Sequence, residues 1–207
     1  MKIDLHVHAR ERSRCGKNTE TEQVEAAIAA GLDAIVFTDH ATLTPRASLL
    51  RLNAAYAPFR IFGGIELNVD SEDWVILGMQ DEALMNERWT YVRLHEYVRQ
   101  QGGYLFLAHP FRYDSDIAVE LAGHLPDAIE LRSCNTPAEA AGKIHALSER
   151  FSLQRLCNSD SHNIRSFGRH YNLLDAIPDD DAGLVAALRK GFSIVPDWQP
   201  EDETEAP

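Results

Sequence analysis

The sequence predicts an α/β protein folded as one small barrel, closed or nearly closed, and three observations point to it. Apolar, β-branched runs alternate with helical stretches along the chain, the rhythm of βα units and parallel strand pairing. The runs IVF, YLFLA and AIEL are almost continuously hydrophobic, as strands covered on both faces are. Several runs end in His, Asp or Glu. Two such ends, Asp-Leu-His-Val-His at 4–8 and Asn-Ser-Asp-Ser-His at 158–162, lie nearly the whole chain apart. A barrel that gathers its strand ends at one mouth brings them together.

The first strand is read over residues 3–7. Residues 19–31 open on a Thr cap with acidic residues behind it, carry Val24, Ala27, Ile28 and Leu32 on one face, and stop at Gly31, which predicts a helix. The strand DAIVFTDH follows, then a helix near 45–56, the strands RIFGGIEL and WVILGM, and an amphipathic helix over about 87–101 closed by Gly102 and Gly103. Next come YLFLAHP, a helix near 115–123, DAIELRS, a helix from Pro137 to Arg150, and RLCNSDSH. The helix DDAGLVAALRK leads into GFSIV, read as an edge strand. Residues 197–207 are acidic and Pro-containing and read as a disordered tail behind a single domain, 1–196.

With 207 residues, 44% of them hydrophobic, the chain can build one substantial core but hardly two. The net charge of -12 argues against broad binding of long nucleic acid, which needs clustered Lys and Arg. Cys15, Cys134 and Cys157 form no CxxC pair and no even-numbered framework, so a reducing, cytoplasmic setting without disulfides is expected. No basic-then-apolar leader and no run near the roughly 20 residues of a membrane span is read. Oligomeric state leaves no trace in the sequence.

His6 and His8, two apart on a strand, project to one face, where one ion can bridge them. Asp160 and His162 repeat that spacing. His40 and His109 also follow strand-like runs, and Glu66 ends IFGGIEL, where an unpaired buried carboxylate is costly and a metal partner removes the cost. An ion pair with an arginine is the plainer reading of Glu66. Asp4 and Asp39 are expected one layer out, orienting ligand imidazoles.

Together DLHVH, TDH, GIEL, AHPFR and NSDSH resemble, in order and spacing, the motifs of the polymerase and histidinol phosphatase (PHP) family of metal-dependent phosphoesterases. The resemblance spans residues 2–168. It implies a distorted (βα)7 TIM-like barrel and two or three divalent ions (Zn, Mn or Fe). His6, His8, Glu66 and Asp160 would hold the first ion, Glu66 and His109 the second, His40 and His162 the third.

Two positions depart from the family pattern. Where an Asp-Gly pair is usual after the HxH, this chain has Cys15-Gly16, so Cys15 is either a thiolate ligand favouring zinc or iron or an ordinary loop cysteine. Where a His commonly precedes a Leu-Gly pair, Asp73 is the best substitute and a turn cap the alternative. Cys134 is another nearby candidate, read more readily as a buried cysteine. Arg112, in AHPFR, could grip phosphate oxygens or pair with Asp114 or Asp116; Arg165 and Arg169 have weaker claims of the same kind. His95, His124, His145 and His170 match no motif and are read as non-ligands.

The resemblance implies hydrolysis of a small phosphorylated metabolite or nucleotide by a metal-bridging hydroxide, with Asp160 as base and an acid near His40 and His162. An amide or lactone hydrolase of the amidohydrolase type is the rival within enzymology, disfavoured because Glu66 stands where those enzymes often use a modified lysine. A non-catalytic PHP module that binds a partner is the other rival, favoured by the substitutions at Cys15 and Asp73.

Overall fold

The computed structural model describes residues 1–195, so the acidic stretch 197–207 lies outside the described residues. In chain order it contains β1 (Lys2–Val7), α1 (Glu20–Ala29), β2 (Ala34–Phe37), α2 (Arg46–Tyr56), β3 (Arg60–Val69), β4 (Glu72–Leu77), α3 (Ala83–Asn86), α4 (Tyr91–Gln101), β5 (Tyr104–Leu107), β6 (Ala128–Arg132), α5 (Ala141–Phe151), β7 (Gln154–Cys157), β8 (Tyr171–Leu173), α6 (Asp181–Lys190) and β9 (Ser193–Val195).

The strands form one sheet in the order β7-β6-β5-β4-β3-β2-β1-β8-β9. Just beyond β7 the chain returns to β1: Val7 bridges Ser161, with His8 N donating to Ser161 O (2.9 Å) and Ser161 N to His6 O (3.2 Å). The result is a mixed, nearly closed α/β barrel in a single domain, with β8 and β9 continuing outward from β1. β8 was not anticipated; it is three residues long, too short for a periodic signal.

Pairing is parallel within β1-β2-β3 and β5-β6-β7, but β4 runs antiparallel to both its neighbours. This corrects the expectation of parallel pairing. Only Asp70 and Ser71 separate β3 from β4, and both have positive φ (52° and 70°), the two-residue hairpin geometry. A connection that short cannot cross over to a parallel partner.

The helix expected near 115–123 does not form. Its backbone amides are taken by nearby carboxylates: Ser115 N donates to Asp114 Oδ1 (2.6 Å), Ala122 N to Glu120 Oε1 (2.9 Å), and Ala118 N to Glu72 Oε1 on β4 (2.7 Å). The helix expected over 87–101 starts at Tyr91, where Thr90 caps it, behind the single turn of α3. The one predicted from Pro137 begins as a 3-10 turn at 138–140. For α1 the Thr19 cap is complete, its side chain taking Glu22 N while Glu22 returns a bond to Thr19 N.

Three buried clusters hold the barrel. Ile3, Leu5, Val36, Val75 and Phe106 fill its interior and meet Leu184, Val185 and Leu188 of α6. α6 thereby closes the end opposite the strand tips, with Arg189 donating to Gly103 O (2.6 Å) and Leu188 O accepting from Gln154 (3.1 Å). α1 and α2 cover β1 to β3, while α4 and α5 cover β4 to β7.

Candidate metal centre

β1 delivers its histidines through an irregularity. Asp4 lies opposite Ile35 but Val7 opposite Phe37, three steps against two, so β1 carries one extra residue. Such a bulge re-aims side chains. Leu5 then joins the barrel interior while His6 and His8 both turn inward above it. His109 and Asp160, just past β5 and β7, have positive φ (24° and 48°), a strained conformation for residues with a Cβ and one that concentrates at functional sites.

Four buried atoms face one another without a well-aligned hydrogen-bond partner, His6 Nε2, His8 Nε2, Glu66 Oε2 and Asp160 Oδ1, and His40 Nδ1 approaches the same Glu66 Oε2 to 2.9 Å. His6 Nε2 lies 3.4 Å from Glu66 Oε2 and 3.5 Å from Asp160 Oδ1, and His8 Nε2 lies 3.3 and 3.1 Å from the same oxygens. Ligand atoms set tetrahedrally at about 2.1 Å from an ion are separated by about 3.4 Å. The four atoms therefore fit a divalent cation, and such a cation would supply each with a partner.

Glu66 Oε1 turns the other way, 3.1 Å from His109 Nε2. His109 Nε2 is also 3.8 Å from Asp73 Oδ2 and 3.8 Å from Asp160 Oδ2, so Glu66, Asp73 and His109 form a second group sharing Glu66 with the first. Because β4 runs antiparallel, Asp73 reaches the mouth from near the start of its strand, opposite Asn68 on β3. Asn68 Nδ2 donates to Asp73 Oδ1 (2.8 Å) and Tyr113 Oη to Asp73 Oδ2 (3.0 Å).

His40, His162 and His8 make a third group, their rings stacked at 4.5 Å for His8 with His40 and 4.3 Å for His8 with His162. His40 and His162 have side chains 43% and 22% exposed and form the solvent-facing part of the cluster. His8 Nε2 already faces Glu66 and Asp160, and an imidazole nitrogen ligates one ion, so this third group is short of a ligand.

Carboxylates dominate the electrostatics. Burial disfavours protonation of His6, but Asp160, Glu66 and Glu130 outweigh it and hold its pKa well above the usual value. Burial likewise opposes the charged form of His40 and His109, yet bonding to Glu66 raises both. Glu66 and Asp160 are lowered despite their burial, chiefly by His6. His162 goes the other way, to about 4, through burial and the proximity of His8. The basin attracts positive charge strongly.

The surrounding layer differs from expectation. The carboxylate that orients His6 is Glu130, whose Oε1 lies 3.2 Å from His6 Nδ1. Glu130 also accepts from Asn158 Nδ2 (2.8 Å) and from His109 N (2.9 Å). Asp4 instead takes backbone amides, from Ser159 (3.1 Å) and His6 (3.2 Å), and burial pushes its pKa up to about 7. Asp39 acts on His8 at one remove: its Oδ1 accepts from Ser13 Oγ (2.7 Å), which sits 3.3 Å from His8 Nδ1. Glu130 was missed, although Ile129-Glu130-Leu131 repeats the Ile65-Glu66-Leu67 that marked Glu66.

Cys15 and Cys134 are exposed, and neither thiol belongs to a ligand group among the described residues; for Cys134 this replaces the buried reading. Arg112 is exposed, its guanidinium 5.3 Å from the centre of the Tyr113 ring, so it stands one side chain away from Asp73. Arg165 is exposed in the segment after His162. His95 bonds Leu125 O (2.9 Å) and His124 lies 3.8 Å from Glu96; His95, His124, His145 and His170 belong to none of the ligand groups.

Comparison with known proteins follows this geometry. Residues 2–71 match a family of unknown function (DUF6282) and residues 139–192 match the PHP-associated family. No curated protein matches the chain in sequence. A two-domain protein of Bacteroides vulgatus containing a predicted PHP-like metal-dependent phosphoesterase is similar with a TM-score of 0.72 and 18% identity, over 94% of this chain and 64% of that one. An amidohydrolase of Chromobacterium violaceum, with bound sulfate, is similar with a TM-score of 0.67 and 17% identity over 99% and 100%. A lesion-specific endonuclease of Pyrococcus furiosus is similar with a TM-score of 0.65 and 17% identity over 93% and 57%. At these identities the likeness is one of fold.

Proposed function

We propose, on the premise that this chain is a PHP-domain protein, that it is a metal-dependent hydrolase of phosphate esters acting on a small phosphorylated compound. The observation that carries the reading is the set of four buried atoms, from His6, His8, Glu66 and Asp160, in which each imidazole nitrogen lies 3.1–3.5 Å from both carboxylate oxygens.

His6, His8 and Glu66, with Asp160 beside them, would hold one ion, and Glu66, Asp73 and His109 a second. His40 and His162 would hold a third more weakly, their group being short of a ligand. Divalent ions there supply Lewis acidity, neutralising phosphoryl charge and lowering the pKa of bound water. Glu130 takes the Nδ1 proton of His6 and so presents Nε2 as the free base. Asn135 Nδ2, 2.7 Å from Asp160 Oδ2, fixes the carboxylate with Oδ1 turned toward His6 and His8, and Asp160 so held would orient the attacking water. With no third ion bound, His40, the more exposed of the two outer imidazoles, would be free to return a proton to the leaving oxygen. Arg112 and Arg165 supply positive charge for phosphate oxygens. The net charge of -12 favours a small ester over long nucleic acid, and among the described residues no helix is long and apolar enough to cross a membrane.

The test strips the protein, reloads it with manganese, zinc or iron, and assays p-nitrophenyl phosphate beside a panel of amides and carboxylic esters. Metal-stimulated phosphate release is expected, together with at least two bound ions by elemental analysis. Turnover of amides alone would move the chain to the amidohydrolase reading, and absence of both metal and turnover to the binding-module reading.

A further inference from the structure

The stretch after β5 that forms no helix stands away from α5 and leaves two adjoining cavities of about 520 and about 310 Å³, within the range of small-molecule sites. They share Phe111, Ser115 and Lys143. The smaller is lined by Arg112 and by Tyr113, whose hydroxyl bonds Asp73 Oδ2, so it opens beside the second ligand group. The larger is lined by Ile117, Leu121, Leu147 and Phe151 together with the charged Asp116, Glu120 and Arg150.

From this adjacency we infer that the cleft receives the alcohol portion of the substrate, and that this portion is bulky and at least partly aromatic. The inference rests on the phosphoesterase reading for the identity of the anionic end. A short polyol phosphate would leave Phe111, Ile117, Leu147 and Phe151 facing water, whereas a flat ring laid against Phe111 or Phe151 removes part of that area from solvent. Lys143 stands at the junction of the two cavities, its Nζ 5.4 Å from the Phe111 ring centre and 2.9 Å from Ser115 O. With Arg112 it sets two positive charges in the lining of the smaller cavity, beside Asp114 and Glu139. The wall is built into the fold, since Glu72 and Asp73, adjacent on β4, anchor it through Ala118 N and Tyr113 Oη.

Phosphonates test this without turnover, because their C–P bond is not hydrolysed. On the metal-loaded protein, benzylphosphonate is expected to bind at least tenfold more tightly than methylphosphonate by calorimetry. Ala146→Trp, on the exposed face of α5 that lines the larger cavity, should bring that ratio near one while leaving metal content and methylphosphonate affinity unchanged. Equal affinities in the unmodified protein, binding of neither probe, or a preference that survives Ala146→Trp would overturn the inference. A preference that holds while no phosphate ester is hydrolysed would keep the cleft as a binding site and reject the phosphoesterase reading instead.

Discussion

At the scale of single residues, Glu130 shows how much of a metal centre sits behind its ligands. It spans His6 Nδ1, His109 N and Asn158 Nδ2, so it fixes one ligand ring by its side chain and another ligand by its backbone. Glu130→Gln is expected to lower metal affinity about 10- to 100-fold, the usual cost of losing such a partner, while the fold persists. Metal titration alongside circular dichroism measures both, and an unchanged affinity would remove Glu130 from the centre. His6, His8, Glu66 and Asp160 were legible in the sequence because each ends an apolar run where a polar side chain has no local reason to be. Glu130 was less legible because an acid inside a strand also reads as a solvent-facing position, and burial is a property of the closed barrel. Asp4 misled for the same reason: proximity in sequence to a ligand does not say whether a carboxylate meets the ring or the backbone.

Among elements, strands and long helices were readable from periodicity and caps, as Thr19 and Thr90 illustrate. The failures lie where a partner distant in sequence outcompetes the local pattern. Glu72 on β4 captures Ala118 N and unwinds the expected helix, and the two-residue Asp70-Ser71 turn reverses β4. α4 offers an element-level prediction through His95, which is buried and bonds Leu125 O. Burial lowers its pKa, so the folded protein keeps it neutral where the unfolded chain takes up a proton below about 6.5. Its contribution to stability is full above that pH and declines as pH falls from there toward the folded value. Melting temperatures of the unmodified protein and of His95→Gln should therefore differ less at pH 5.5 than at pH 7.5. A constant gap would show that His95 is not kept neutral by the fold.

For the molecule as a whole, the candidate ligand cluster ties together β1, β3, β4 and the segments after β2, β5 and β7, so metal binding would report on the integrity of the barrel. An ion at 100 times its dissociation constant stabilises the folded state by about 2.7 kcal/mol, which for a domain of this size raises Tm by roughly 5–10 °C. Calorimetry with and without a chelator checks this, and an unmoved transition would mean that the basin does not take up metal. The barrel type was legible because it follows from alternation along the chain. Its near-closure was legible too, from ligand-type residues at both ends of the chain, and it takes the form of Ser161 meeting Val7. One consequence follows from α6, which stoppers the floor of the barrel. Under the proposed hydrolysis, substrate and products would share the mouth at the strand tips, so whatever fragment lies deepest would leave last and the next molecule would wait outside.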